Sequence, residues 1–229
     1  MQESIKEKVE KEIADWQYMK ELPAKCHGFS YHLDQTIDED VYNIFSYVND
    51  DTHHGVIIYY HAETNEYKLR IRIGRVEFCR IECIATELSE FEKLLKEQFD
   101  KILCDLETFN PKTVSCLIRA KHITDWDYHS LLPDALEGFT LYIRPSEPIR
   151  ITNGSYIVFD YEDFSCDSNF IIYYNMFRDE FFGEARIRNI PDMNYIFDSN
   201  KLSELKEKLA VHLVPRLKEI HQRANEAQT

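Results

Sequence analysis

The chain has 229 residues, with 27 basic against 41 acidic side chains and a net charge of −14, so it has no basic footprint for nucleic acid or an anionic membrane surface. Hydrophobic residues at 44% and aromatics at 13% are enough for a sizeable core. The glycines (Gly28, Gly55, Gly74, Gly138, Gly154 and Gly183) lie far apart, which excludes the glycine-rich phosphate loops.

In chain order, Ile5, Val9, Ile13 and Trp16 recur at spacings of four and three and predict a first helix that stops before Pro23. After Gly28 and Phe29 the pattern turns to strands at 41–48, 56–62, 66–73 and 76–84, with a hairpin around 63–65. The apolar run at 56–60 predicts a strand buried on both faces. Thr86 then stands where it would cap a last helix with an apolar stripe of Leu88, Phe91, Leu95, Ile102 and Leu106. A joint follows at Asn110 and Pro111.

Beyond the joint the same pattern returns. At an offset of 110, Ile13, Asp15, Trp16, Tyr18, Leu22, Pro23, Gly28 and Phe29 meet Ile123, Asp125, Trp126, Tyr128, Leu132, Pro133, Gly138 and Phe139. Near Pro145 and Pro148 the offset becomes 114, and from there Phe45 and Tyr47 meet Phe159 and Tyr161, residues 57–60 meet 171–174, and residues 88–90 meet 202–204. The second copy predicts a first helix before Pro133 and a last helix with a stripe from Leu202 to Ile220, kinked at Pro215. The expectation is an α+β fold made by tandem internal duplication, with copies at 1–110 and 111–229. Each copy reads as helix, about five mostly antiparallel strands and helix, and the two copies are expected to be related by a pseudo-twofold.

The six cysteines lie mostly in apolar runs, and the N-terminus reads as a charged helix rather than a signal peptide, which predicts a reducing, cytoplasmic setting. No apolar run approaches the roughly 20 residues of a membrane span. Residues 1–110 hold 13 basic and 23 acidic side chains, a charge of −10, whereas 111–229 hold 14 and 18, a charge of −4. Within the acidic half, Asp38, Glu39, Asp40, Asp50 and Asp51 occupy the loops flanking one strand. Lys68, Arg70 and Arg72 alternate with Leu69, Ile71 and Ile73, which puts three cations on one strand face. Together these residues are the expected partner surface.

Residue types suited to metal occur at His53, His54 and His61, but without a fixing spacing. Cys79 and Cys83 are matched by Met193 and Phe197 in the second copy, which marks them as packing residues. No catalytic, metal or cofactor residues are assigned. The expected function is a non-catalytic protein-binding or inhibitor-type module whose partner is another protein, not nucleic acid or membrane, with oligomeric state open. The alternative is a small enzyme with His53, His54, His61, Arg70 and Arg72 at a site between the copies. The compact acidic α+β profile is similar in composition to that of antitoxin or immunity proteins and secretion chaperones.

Overall fold

The computed structural model describes residues 2–151 and 154–226. The chain divides into two units, Met1–Phe109 and Asn110–Thr229, and both are built from antiparallel sheet and helix. Among the described residues no helix is long and apolar enough to cross a membrane.

In the first unit, helix α1 (Gln2–Ile13) buries Val9 and Ile13. Trp16 falls outside it, ahead of the short α2 (Gln17–Lys20), because its ring packs 5.7 Å from Tyr18 and 6.1 Å from Phe45 while its indole N–H donates to Glu92 at 2.8 Å. Leaving the helix lets one tryptophan satisfy both its apolar ring and its polar edge. Strands β1 (Lys25–Cys26), β2 (Phe29–Asp38), β3 (Val41–Asn49), β4 (His54–His61), β5 (Glu66–Ile73) and β6 (Val76–Ala85) then form a six-stranded antiparallel meander in sequential order. The strand beyond the expected five is β1, whose two residues carry no readable period.

Helix α3 (Leu88–Glu107) covers one sheet face with Phe91, Leu95, Phe99, Ile102 and Leu103. Phe99 lies 5.4 Å from Tyr47, and Phe91 lies 5.8 Å from Tyr67. The N-cap of α3 is Glu87, with no side-chain cap bond, so Thr86 stands one residue too early to cap it. Strand β4 is buried along its length between its end histidines, as its unbroken apolar run requires.

In the second unit a 3-10 turn (Pro111–Thr113) leads to α4 (Cys116–Ala120), where Ser115 accepts a capping bond from the Leu117 N–H. The helix expected to run on toward Pro133 ends there. His122 takes a left-handed φ of 56°, and 123–128 continue as turns and coil, although Trp126 still reaches a buried place. Strands β7 (Ala135–Leu136), β8 (Phe139–Ile143), β9 (Ile149–Arg150), β10 (Ser155–Asp163), β11 (Ser168–Asn175), β12 (Glu180–Ile187) and β13 (Ile190–Ser199) make a seven-stranded sheet ordered β13-β12-β11-β10-β8-β7, with β9 beside β10. Pro145 and Pro148 fall between β8 and β9, where neither can donate to the ladder. Helix α5 (Leu202–Glu226) buries Leu205, Leu209, Leu213, Leu217 and Ile220 and runs through Pro215. Because Pro215 has no N–H, the helical bond it would otherwise donate to the Val211 carbonyl is missing.

Candidate functional site

Strand alternation decides where the basic row points. Tyr67, Leu69, Ile71 and Ile73 are buried, and Tyr67 meets Phe91 of α3, so Lys68, Arg70 and Arg72 lie on the face turned away from that helix. Lys68 pairs with Glu66 at 2.9 Å. Arg70 pairs with Glu77 at 3.1 Å and sits 5.2 Å from the Tyr59 ring centroid. Arg72 stands opposite Glu77 on β6 and Gly55 on β4. The row therefore meets carboxylates of its own sheet.

The acidic residues form two groups. Asp38 ends β2 and Glu39 and Asp40 form its turn into β3, whereas Asp50 and Asp51 occupy the β3–β4 turn. These turns lie at opposite ends of β3, roughly 30 Å apart at 3.3 Å per residue.

The histidines are also kept apart. His54 begins β4 and His61 ends it. His54 Nδ1 lies 3.0 Å from the Leu106 carbonyl of α3, and His61 Nδ1 lies 3.0 Å from the Thr64 hydroxyl. Burial lowers the His54 pKa against the opposing effect of its backbone hydrogen bond, so the imidazole is neutral at physiological pH and donates to the carbonyl. His54 thus faces α3 while Arg72 faces the other way. His53 sits in an exposed turn at a φ of 54°. Cys83 is buried, and its thiol pKa is pushed up to about 11 by that burial.

A further surface feature lies in the second unit. Strand β13 closes its sheet and exposes Ile190, Met193, Tyr195 and Ile196, with Tyr195 75% accessible. Between the pairs Phe181↔Ser199 and Gly183↔Asn194 its register slips against β12, and this bulge pushes Tyr195 and Ile196 out of the ladder. Behind the bulge a cleft of about 100 Å³ opens toward α5, lined by Asn194, Ile196, Phe197, His212, Pro215 and Arg216. Val211 and Val214 of α5 are exposed as well.

Arg216 and Glu219, which line this cleft, belong to an ion network. The Arg216 side chain is 5% exposed; it pairs with Asp192 and donates to Glu219 at 2.8 Å. Arg223 holds both oxygens of Asp192, at 3.0 and 3.1 Å. Burial alone would raise the Asp192 pKa, but the bonds from Arg223 and Arg216 outweigh it and hold the carboxyl below its ordinary value. Among the described residues the buried Arg216 Nε finds no hydrogen-bond partner.

Sequence reasoning did not single out these residues. The signal was present: Arg216 interrupts the apolar stripe of α5, and at an offset of 114 the first unit has Ile102 in its place and Phe78 in place of Asp192. No protein-family model matches the chain, and neither a curated protein nor a solved structure matches it significantly.

Proposed function

We propose that the chain is a non-catalytic protein-binding module of the inhibitor type, and that the open β13 edge receives an extended segment of another protein. The observation that carries this reading is the exposure of Ile190, Met193, Tyr195 and Ile196 on a strand that, among the described residues, has no outer neighbour in its sheet. An edge strand offers unpaired backbone groups for an added strand. Its apolar side chains and the cleft beside it supply the pocket that such recognition uses for specificity. The −10 carried by residues 1–110 speeds encounter with a basic partner more than it tightens the complex.

The scaffold is read as a tandem duplication of one α+β unit, and repeated backbone details support this. Tyr47 donates to the Pro23 carbonyl, and Tyr161 donates to the Pro133 carbonyl at 2.7 Å. Tyr60 donates to Asn65 and Tyr174 to Asp179. The β3–β4 ladder slips between Asn43 and Phe45, and the β10–β11 ladder slips between Ile157 and Phe159, an offset of 114.

The test is capture in the native host with a photo-crosslinking residue in place of Tyr195. A stoichiometric protein partner is expected, lost when Ile196→Asp is added. No partner at either low or moderate salt, or a partner retained unchanged by Ile196→Asp, overturns the proposal.

A further inference from the structure

We propose that Cys26, His27 and Asp100 form a binding site for a thiophilic divalent metal, zinc by choice, with Glu107 as the residue that positions His27. This site belongs to the first unit and is independent of the β13 edge.

The β1–β2 hairpin creates the approach. Cys26 pairs with Phe29 across a two-residue turn, and the central residues His27 and Gly28 both take positive φ, 46° and 76°. Such a turn matches the twist of the strands. Phe29 enters the core at 0% exposure, and the tip is brought against α3. On that helix Asp100 and Glu107 are two turns apart and share a face.

The distances suit a metal. His27 Nε2 lies 2.8 Å from Asp100 Oδ1, and Cys26 Sγ lies 3.8 Å from the same oxygen. All the donor atoms fall within 4.8 Å of one another. A tetrahedral zinc, at about 2.3 Å from sulfur and about 2.1 Å from nitrogen and oxygen, sets its ligand atoms roughly 3.5 Å apart. Side-chain movements of about an ångström therefore close the shell.

Donor chemistry narrows the choice of ion. Thiolate with imidazole selects zinc over magnesium or calcium, which take oxygen ligands. Three protein ligands leave a fourth position open. The other imidazole nitrogen, His27 Nδ1, faces Glu107 Oε2 at 3.7 Å, and a carboxylate behind a ligating histidine fixes its tautomer and ring orientation. Burial raises the Cys26 pKa, and Asp100 and Glu107 raise it further, so the thiol is not activated as a nucleophile. A cation reverses that balance: the metal enters and the thiol proton leaves to solvent.

The second unit has a hairpin of the same design without the thiol and the imidazole. Leu136 stands in the thiol's place, and Glu137 takes the turn position at a φ of 52°. There the hairpin is tied to α5 by the Glu137–Lys218 ion pair at 3.6 Å. The metal would be the first unit's version of that tie.

Cobalt(II) added to the full-length, reduced chain, followed by zinc, tests the site. The expected result is one equivalent of cobalt with a thiolate-to-metal absorption band, displaced by zinc and not by magnesium. Cys26→Ser abolishes the band, and His27→Gln and Asp100→Asn each weaken zinc binding. Glu107→Gln weakens it by about 10- to 100-fold with the stoichiometry kept. Asp100 is 82% exposed, so its substitution leaves the core intact and separates ligand loss from unfolding. Absence of the band, a band that survives Cys26→Ser, zinc affinity unmoved by Asp100→Asn and His27→Gln, or equal competition by magnesium overturns the proposal.

Discussion

Strands β6 and β13 both close their sheets and carry bulges of the same size, one residue apart at the offset of 114, yet they present opposite chemistry. Between Lys68↔Ile84 and Arg70↔Cys79, one residue of β5 faces four of β6. Between Phe181↔Ser199 and Gly183↔Asn194, one residue of β12 faces four of β13. In the first unit Arg80 and Glu82 pair at 3.5 Å on either side of the exposed Ile81. In the second, at the same offset, Asn194 borders the bulge in its pair with Gly183, and Tyr195 and Ile196 are exposed within it. A bulge with charges is a guarded edge, and the same bulge without them is an open one. Geometry that two regions share describes the scaffold; a difference in side chains on that geometry is where a specific task can reside.

The largest expected effect breaks the comparison at the Asp192–Arg216 pair. Asp192→Ala leaves the buried Arg216 with Glu219 as its remaining carboxylate, and stripping one partner from a buried pair costs about 3 kcal/mol. Installing the first unit's residues at both places, Asp192→Phe with Arg216→Ile, removes the charges together and should recover most of that loss in urea unfolding at neutral pH. Equal losses in the single and double variants would show that the network is not a coupled unit. The pH dependence has a definite sign. Because the Asp192 carboxyl is held below its ordinary value, its contribution is present above the unfolded carboxyl pKa and fades as pH falls through the folded one. Asp192→Ala should therefore flatten the acid limb of the stability curve.

A smaller effect sharpens the shared geometry. Tyr47→Phe and Tyr161→Phe each remove one hydroxyl-to-carbonyl bond and should each cost about 1 kcal/mol, equal within error if the two sites are one device used twice. Burial pushes the Tyr47 hydroxyl pKa up to about 12 from a usual value of 10.0. Its neutral form is favoured in the folded chain, so the contribution is complete below pH 10 and is lost as pH rises toward 12. Tyr47→Phe should make alkaline unfolding shallower in that window, as followed by circular dichroism.

The parts of the molecule governed by period were legible in the sequence. Strands β3 to β6 and the buried face of α3 follow from alternation and from a stripe at helical spacing, because burial on one face leaves that mark. The N-terminal segments did not follow. Trp16 keeps the helical spacing of Ile13 but leaves the helix to reach Glu92, and the segment before Pro133 is apolar at helical spacing yet is stopped by His122 at positive φ. Periodicity reports which residues are buried, and turns can bury them as well as helices can. The Cys26, His27 and Asp100 group was illegible for another reason: its members are 73 residues or more apart except at the turn, and only the docking of the hairpin on α3 joins them.

The smallest stability effect is the most direct test of the edges. Arg80→Asn with Glu82→Ile gives β6 the residues that β13 has at the same offset, and Asn194→Arg with Ile196→Glu does the reverse. Arg80 and Glu82 lie on the sheet edge, so the unfolding free energy of the first variant should change by no more than about 0.5 kcal/mol, while the second also loses the bond from the Ile196 N–H to Asn194, worth about 1 kcal/mol. Association should change far more. Light scattering across a concentration series should show the first variant gaining self-association, since a guarded edge has been opened, while the second becomes less prone to it and loses the partner crosslinked at position 195. Were the first variant to stay as dispersed as the parent chain, the charges at 80 and 82 would not be what guards β6, and the difference between the two edges would lie in the backbone after all.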